Sequence, residues 1–291
     1  MIKVIASDMD GTLLGGDHRL APRTARAIRS ACDAGIRFIV ATGRDLNGAL
    51  QELDGMGLVC DYIVGSGAEV RDPQQKIVSR LQMDTGICGE IYDVLKNYPV
   101  SVIFMTGECD YSIGTPEKLE EDLRQNLQVF FSDLSMEEIL ETEMYRNMKK
   151  NTRLIRDFQE LKDREISVYK IFVFCCDTEV LREIEQKLQK DERLAVASSY
   201  VNNLEITDAR AQKGPVLKNY IESLGYTMEE VMAFGDSMND YSMLSMDFGA
   251  TVAMGNSEPE IIKAAKYMTK SNEEDGVAYA IEEMLRRRKG Q

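Results

Sequence analysis

Two acidic side chains set one residue apart are the first feature of this sequence that could do chemistry. Asp8 and Asp10 flank Met9, directly after the short apolar run Lys3 to Ser7, and Gly11-Thr12-Leu13-Leu14 follows them. In open α/β sheets, ligands bind beyond the carboxyl ends of the strands. Two carboxylates placed there repel each other unless a cation lies between them. Mg2+ is the hard ion that suits carboxylate and phosphate oxygens together, and a Gly-Thr turn lets backbone N–H groups approach a phosphate. Taken alone, Asp-x-Asp-Gly is just as well a solvated turn after a strand.

Three further stretches carry the same kind of signal. Ala41-Thr42-Gly43-Arg44 sets a hydroxyl and a glycine at a helix entrance, where a phosphate oxygen is favoured; read by itself, Thr42 is an ordinary helix cap. Lys213-Gly214-Pro215 opens a helix, a place where a cation is unfavourable unless an anion accompanies it; read by itself, it is a surface lysine. Gly235-Asp236-Ser237-Met238-Asn239-Asp240 puts two carboxylates at another helix start, which suits both the helix dipole and a metal. Asp236 alone could be a cap.

The elements that must position these residues alternate. In the first third, Lys3 to Ser7, Ile36 to Ala41 and Tyr62 to Val64 read as buried strands. Between them, Thr24, Ala27, Ile28, Ala31 and Cys32 fall at helical spacing, with Pro22 near the start and Gly35 as the stop; another helix begins near Asp45. Ala68 to Ser79 reads as a hairpin. The last third has the same rhythm: a helix marked by Val216, Leu217, Tyr220, Ile221 and Leu224, a strand Val231 to Phe234, a helix Met238 to Met246, a strand Gly249 to Met254, and helices Pro259 to Ala265 and Val277 to Arg287. Strands alternating with helices predict a parallel sheet with right-handed crossovers. The middle differs. Val100 to Met105 and Tyr169 to Cys175 read as strands, Glu179 to Lys190 as a helix, and Ser135 to Arg164 as mostly helical. The reading is an α/β core with a separate α+β domain inserted, 1–82 and 201–291 forming the core and 83–200 the insertion.

All four stretches fall at strand ends or helix starts of one predicted sheet, so they can converge on one edge. In order and spacing, Asp8-x-Asp10-Gly11-Thr12, Thr42-Gly43-Arg44, Lys213-Gly214 and Gly235-Asp236-Ser237-x-Asn239-Asp240 resemble the haloacid dehalogenase superfamily, and within it the Cof-type phosphatases with a large cap inserted between the second and third motifs. Val252-Ala253-Met254-Gly255-Asn256 and Asn272-Glu273-Glu274-Asp275-Gly276-Val277-Ala278 match as well. Where such proteins often carry Asn-Gly-Ala after the third strand, this chain has Ser66-Gly67-Ala68, which shortens any substrate contact from that turn.

The resemblance implies a Rossmann-like parallel sheet core and a phosphatase that works through an aspartyl phosphate. It implies Asp8 as nucleophile and Asp10 as the acid that protonates the leaving alcohol and then the base that deprotonates water. It implies Mg2+ held by Asp8, the Asp10 backbone carbonyl and Asp236. Thr42, Gly43, Lys213 and Asn239 are expected to hold phosphate oxygens, and Asp240 to orient its neighbours from behind. The substrate expected is a small phosphorylated metabolite, a sugar phosphate or a phosphorylated cofactor or its precursor. The alternatives are a phosphomutase or phosphotransferase acting on sugars, and a non-catalytic metabolite-binding protein, the last opposed by the intact Asp8, Asp10, Lys213 and Asp236.

Composition narrows the partners. A net charge of −14 argues against a nucleic-acid binder, which needs a basic surface. The one basic cluster, Arg286-Arg287-Arg288-Lys289, reads as a helix C-terminus. No apolar run approaches the ~20 residues needed to span a membrane, and the start reads as a strand rather than a signal peptide, so a cytoplasmic location is expected. His18 is the only histidine, which excludes a histidine-based triad or a multi-histidine zinc site. The six cysteines form no Cys-x-x-Cys pair, and Cys175-Cys176 reads as buried free thiols in a strand.

Overall fold

The computed structural model describes residues 1–107, 109–131, 134–198 and 200–289. In chain order its strands are β1 (Val4–Ser7), β2 (Arg37–Ala41), β3 (Asp61–Val64), β4 (Glu69–Arg71), β5 (Ile77–Arg80), β6 (Ser101–Met105), β7 (Asp110–Ile113), β8 (Thr152–Ile155), β9 (Lys170–Phe174), β10 (Leu194–Ala197), β11 (Asn203–Asp208), β12 (Val231–Gly235), β13 (Ala250–Ala253) and β14 (Tyr267–Met268). They form an eight-stranded and a six-stranded sheet. The chain divides into two compact units, Met1–Leu81 with Arg210–Gln291, and Gln82–Ala209.

In the first unit the strand order is β14-β13-β12-β1-β2-β3-β4-β5. The strands from β14 to β3 run parallel, and β4 and β5 add an antiparallel hairpin at one edge. β1 is central, with Ser7 opposite Phe234 on one side and Val40 on the other. Strands covered on both faces read as continuous apolar runs, which is why Val4 to Ala6 and Phe38 to Ala41 lack alternation. One face, with Ile5, Phe38, Val40 and Phe234, packs with Ile28, Ala31 and Ile281 from helices Pro22–Asp33 and Gly276–Lys289. The other, with Val4, Ala6, Ile39 and Ala233, packs with Leu217, Ile221, Leu244 and Ile261 from helices Lys213–Ser223, Tyr241–Leu244 and Pro259–Ala264. This is the expected α/β architecture, with Pro22 opening the first helix and Asp45 capping the second, Leu46–Leu53, by accepting from the Gly48 amide.

The expected helix from Met238 to Met246 is shorter and in two parts, a 3-10 turn Met238–Asp240 and one helical turn Tyr241–Leu244. The Asp240 carboxylate accepts from the Asp236 and Ser237 amides, which tightens the chain into a capping turn before the helix begins.

The second unit has strand order β10-β11-β9-β6-β7-β8, antiparallel except for β7 with β8. Helices Thr85–Leu95, Phe158–Asp163 and Thr178–Leu188 bury Ile91, Leu161 and Ile184 in its main core. A smaller core, with Leu123, Leu127, Ile139 and Tyr145, joins helices Pro116–Phe130, Met136–Glu141 and Glu143–Asn151. Three features differ from the sequence reading. The mostly helical stretch Ser135 to Arg164 contains β8, where the Thr152 hydroxyl closes the preceding helix by donating to the Met148 carbonyl at 2.8 Å. The unit also extends past the expected 200/201 boundary to Ala209, because β11 is laddered between β9 and β10. Of the vicinal thiols, Cys175 is buried as expected, but Cys176, just past the end of β9, is exposed. All six cysteines are free. No helix among the described residues is long and apolar enough to cross a membrane.

Candidate active site

The chain turns sharply at the end of β1. The Asp8 amide donates to the Phe234 carbonyl at 3.1 Å, and the amides of Thr12, Leu13 and Leu14 converge on the Met9 carbonyl. Met9 is fully buried and anchors the turn in the core. Gly11 has φ +75°, and a Cβ there would run into the Asp236 carboxylate, so the position is closed to other residues on both counts. Thr12 Oγ1 donates to Asp236 Oδ1 at 2.5 Å. The loop after β1 is thereby tied to the loop after β12, its neighbour in the sheet.

Lys213, the first residue of its helix, is completely buried. Its Nζ donates to Asp8 Oδ1 at 2.6 Å and to Asp240 Oδ1 at 2.7 Å, and lies 3.4 Å from Asn239 Oδ1. The cation that is unfavourable at a helix N-terminus thus has its anions. Gly214 lets this helix start lie against the Ser242 carbonyl, with no room for a Cβ. Asn239 Oδ1 also accepts from Ser237 Oγ at 3.0 Å, which commits the carbonyl end of that amide.

After β2, the Thr42 amide donates to the Ile63 carbonyl, and Thr42 Oγ1 accepts from the Arg44 amide at 3.1 Å, leaving its proton to donate. The Ser66 amide holds the Thr42 carbonyl at 3.0 Å, and the Gly65 amide holds the Arg44 carbonyl at 2.8 Å. The Ser66 turn, with φ +59° at Ser66, therefore supports the Thr42-Gly43-Arg44 loop through its backbone. The Arg44 guanidinium grips Asp10 with two parallel bonds, Nε to Oδ2 at 2.8 Å and Nη2 to Oδ1 at 2.7 Å, and its Nη1 donates to Glu52 at 2.7 Å. His18 Nδ1 lies 3.6 Å from Asp10 Oδ1.

Asp8, Lys213, Asp236, Asn239 and Asp240 are linked through Lys213, Ser237 and backbone amides, and Asp10 and Thr42 are joined through Arg44. Sequence reasoning quoted Arg44 without giving it a role, and missed Glu52 and His18. Glu52 carries no motif signal; its only trace is its place eight residues after Arg44 on the adjoining helix. Asn256 and Asn272 were noted only as matches. Here Asn256 Nδ2 donates to the Gly11 carbonyl at 2.8 Å, while the Asn272 amide holds Asn256 Oδ1 and its side chain holds the Leu14 carbonyl, each at 3.0 Å.

The electrostatics are those of a cradle with too much negative charge. Asp8, Asp236 and Asp240 each offer an oxygen, all within 4.8 Å of one another, against the single Lys213 ammonium. Burial, and then the Asp240 charge, push the Asp8 pKa well above the usual carboxylate range, with Lys213 opposing. The same two causes push Asp236 up to about 7, against the Thr12 hydroxyl and Lys213. Burial works against the Lys213 ammonium too, but Asp240 and Asp8 outweigh it and hold its pKa above the ordinary lysine value. Burial alone would raise Asp10 as well; the Arg44 grip, and then His18, outweigh it and hold Asp10 well below the usual range. An all-oxygen donor set of this charge, two of its carboxylates buried and Asp236 half-buried, fits a hard divalent cation. Both Asp240 oxygens are already engaged, by Lys213 and by two amides, so it suits an orienting role.

A parallel sheet bearing paired aspartates beyond its central strand, with a third carboxylate and a buried lysine beside them, is a site suited to a divalent cation and an anionic ligand. A sequence profile of the haloacid dehalogenase-like hydrolases matches residues 5–281, and the chain belongs to that family. It is 32% identical to phosphatase YwpJ of Bacillus subtilis strain 168, over 98% of this chain and 100% of that one. It is 30% identical to the 5-amino-6-(5-phospho-D-ribitylamino)uracil phosphatase YwtE of the same organism, over 98% of each chain. A solved haloacid dehalogenase-like hydrolase from B. subtilis superposes with a TM-score of 0.84 at 28% identity, covering 97% of this chain and 99% of that one. The chain is a phosphatase, a phosphoric monoester hydrolase of this family.

Proposed function

We propose that the chain hydrolyses a sugar phosphate or a phosphorylated cofactor precursor through an aspartyl phosphate on Asp8, with Mg2+ as cofactor. The observation that carries this reading is the group of three carboxylates, two buried and Asp236 half-buried, in which the Lys213 ammonium holds Asp8 and Asp240. Asp8, Asp236 and the Asp10 backbone carbonyl hold the cation; the Asp10 side chain is committed to Arg44. When bound, Mg2+ quenches the repulsion between Asp8 and the phosphate and favours the ionised form of Asp8 against its burial.

Asp8 attacks phosphorus in line, its oxygen forming the new P–O bond while the bond to the alcohol breaks. Lys213 keeps the attacking carboxylate oriented, and with Thr42, Gly43 and the Asn239 NH2 it holds phosphate oxygens. Asp240 fixes Lys213 from behind. Asp10 gives a proton to the departing alcohol and takes one from the water that cleaves the intermediate. The grip of Arg44 favours the carboxylate form needed in that second step and opposes the protonated form needed in the first, so the proton given to the alcohol is one that the acidic substrate brings with it. The inserted unit Gln82–Ala209, which contains none of these residues, selects the substrate.

The test is phosphate release from a panel of phosphorylated metabolites, with and without Mg2+, beside the Asp8→Asn variant. Release that needs both Mg2+ and Asp8 supports the reading. Substantial turnover by folded Asp8→Asn would falsify the nucleophile assignment.

A further inference from the structure

We propose that Glu52 is a positioning residue for the acid–base group: it acts through Arg44 to aim Asp10 at the leaving oxygen. The inference rests on the roles proposed above for Asp8 and Asp10. On helix Leu46–Leu53, Ala49 and Leu53 are buried, and Glu52 stands at the i+3 position on the face that carries Ala49. Its side chain is only 24% exposed and points to the Arg44 guanidinium. That planar group is used on both sides. Its Nε–Nη2 edge forks onto Asp10, and its remaining Nη1 is held by Glu52 at 2.7 Å. A guanidinium pinned at two edges has one orientation, and the paired bonds pass that orientation to the Asp10 carboxylate. Released at Nη1, a long arginine side chain regains rotamer freedom and carries Asp10 with it. Proton transfer requires hydrogen-bond reach to the leaving oxygen, so a carboxyl that is no longer aimed at it transfers its proton more slowly.

Glu52 touches neither the phosphate site nor the carboxylate cradle, so its effect is expected where the acid is needed and little elsewhere. An alkyl phosphate expels an alkoxide and needs a proton; p-nitrophenyl phosphate expels a stable phenolate and does not. The parameter kcat/KM covers the steps up to departure of the alcohol, so the ratio of kcat/KM for glycerol phosphate to that for p-nitrophenyl phosphate reports the acid alone. In Glu52→Ala this ratio should fall about tenfold, a part of the 10²–10⁴ that a positioned acid contributes. Glu52→Gln, which keeps an oxygen for Nη1, should retain most of it. Placed on Asp10→Asn, the Glu52→Ala change should lower the ratio no further, since the residue it positions has lost its acid. A ratio within about twofold of the parent in Glu52→Ala, or the same further fall on Asp10→Asn, overturns the proposal. Should Glu52→Ala not fold, Glu52→Met, which keeps the side chain's length but offers Nη1 no oxygen, takes its place under the same two limits. Asp8→Asn assayed in parallel separates the two readings: loss of both activities there upholds the nucleophile whatever Glu52 does.

Discussion

Lys213→Met removes the one cation of the cradle and keeps the length of the side chain. The parent lysine is fully buried and makes charge-assisted bonds of 2.6 Å and 2.7 Å to Asp8 and Asp240. Deleting one partner of a buried ion pair leaves an uncompensated charge and costs about 3–5 kcal/mol. Here two carboxylates are stranded beside a third, so without metal the upper end of that range is expected at pH 8. Acid relieves the penalty. The folded-state pKa values of Asp8 and Asp236 are already raised above the unfolded value, and losing the ammonium raises them further. A carboxylate with a raised folded pKa contributes stability that is fully present below its unfolded pKa and lost as pH rises through the folded one. That loss is larger in the variant, so its deficit should shrink as pH falls, by up to about 1.4 kcal/mol per pH unit per proton taken up. Urea unfolding with a chelator present, at pH 8 and at pH 5.5, gives both numbers. Far-UV circular dichroism is the probe, because the chain contains no tryptophan. A deficit below about 1 kcal/mol at pH 8, or one that is the same at both pH values, refutes the reasoning that Lys213 neutralises this cluster.

Three further outcomes are expected. Gly11→Ala must place a Cβ against the Asp236 carboxylate at φ +75°, and the displaced ligand should raise the Mg2+ concentration for half-maximal activity about 10–100-fold; an unchanged Mg2+ titration curve contradicts the packing. Asp236 is pushed up to about 7, so the proton competes with the metal below that pH, and calorimetric Mg2+ affinity should fall at least about tenfold per pH unit between pH 6.5 and 5.5, more where Asp8 also takes up a proton; an affinity flat over that interval excludes Asp236 as a ligand. Asp61, 1% exposed, accepts from Arg37 at 2.5 and 2.6 Å and from the Tyr220 hydroxyl at 2.5 Å. Asp61→Ala should cost about 3–5 kcal/mol in urea unfolding by stranding the arginine, and a cost under about 1 kcal/mol shows the staple to be solvated.

The amino-acid sequence by itself determined the first unit almost element by element. Its strands are buried on both faces and so read as apolar runs, its helices carry their own stops at Gly35 and Gly225 with φ +78° and +83°, and both signals are local. The candidate site residues were legible for the same reason: each lies within a few positions of a predicted strand end or, for Lys213, at the start of a predicted helix, so the element also places its side chain. The register that sets Ser7 beside Phe234 and Val40 then brings the loops together. What only the tertiary structure decided is long-range or depends on geometry. β8 pairs with β7 in the second sheet; Leu204 and Ile206 alternate with polar residues in Asn203–Asp208, a strand signal the sequence reading passed over, and which unit that strand joins was decided by its ladder with β9 and β10. The fork of Arg44 on Asp10, with Glu52 behind it, depends on where a side chain with several free torsions comes to rest. So does the clamp of Asn256 and Asn272 on the Gly11 turn, which joins residues 245 positions apart. Spacing along the chain records which backbone segments are neighbours in a regular element, but it does not record which of several polar atoms a long side chain will reach once the surrounding burial has removed water as a competitor.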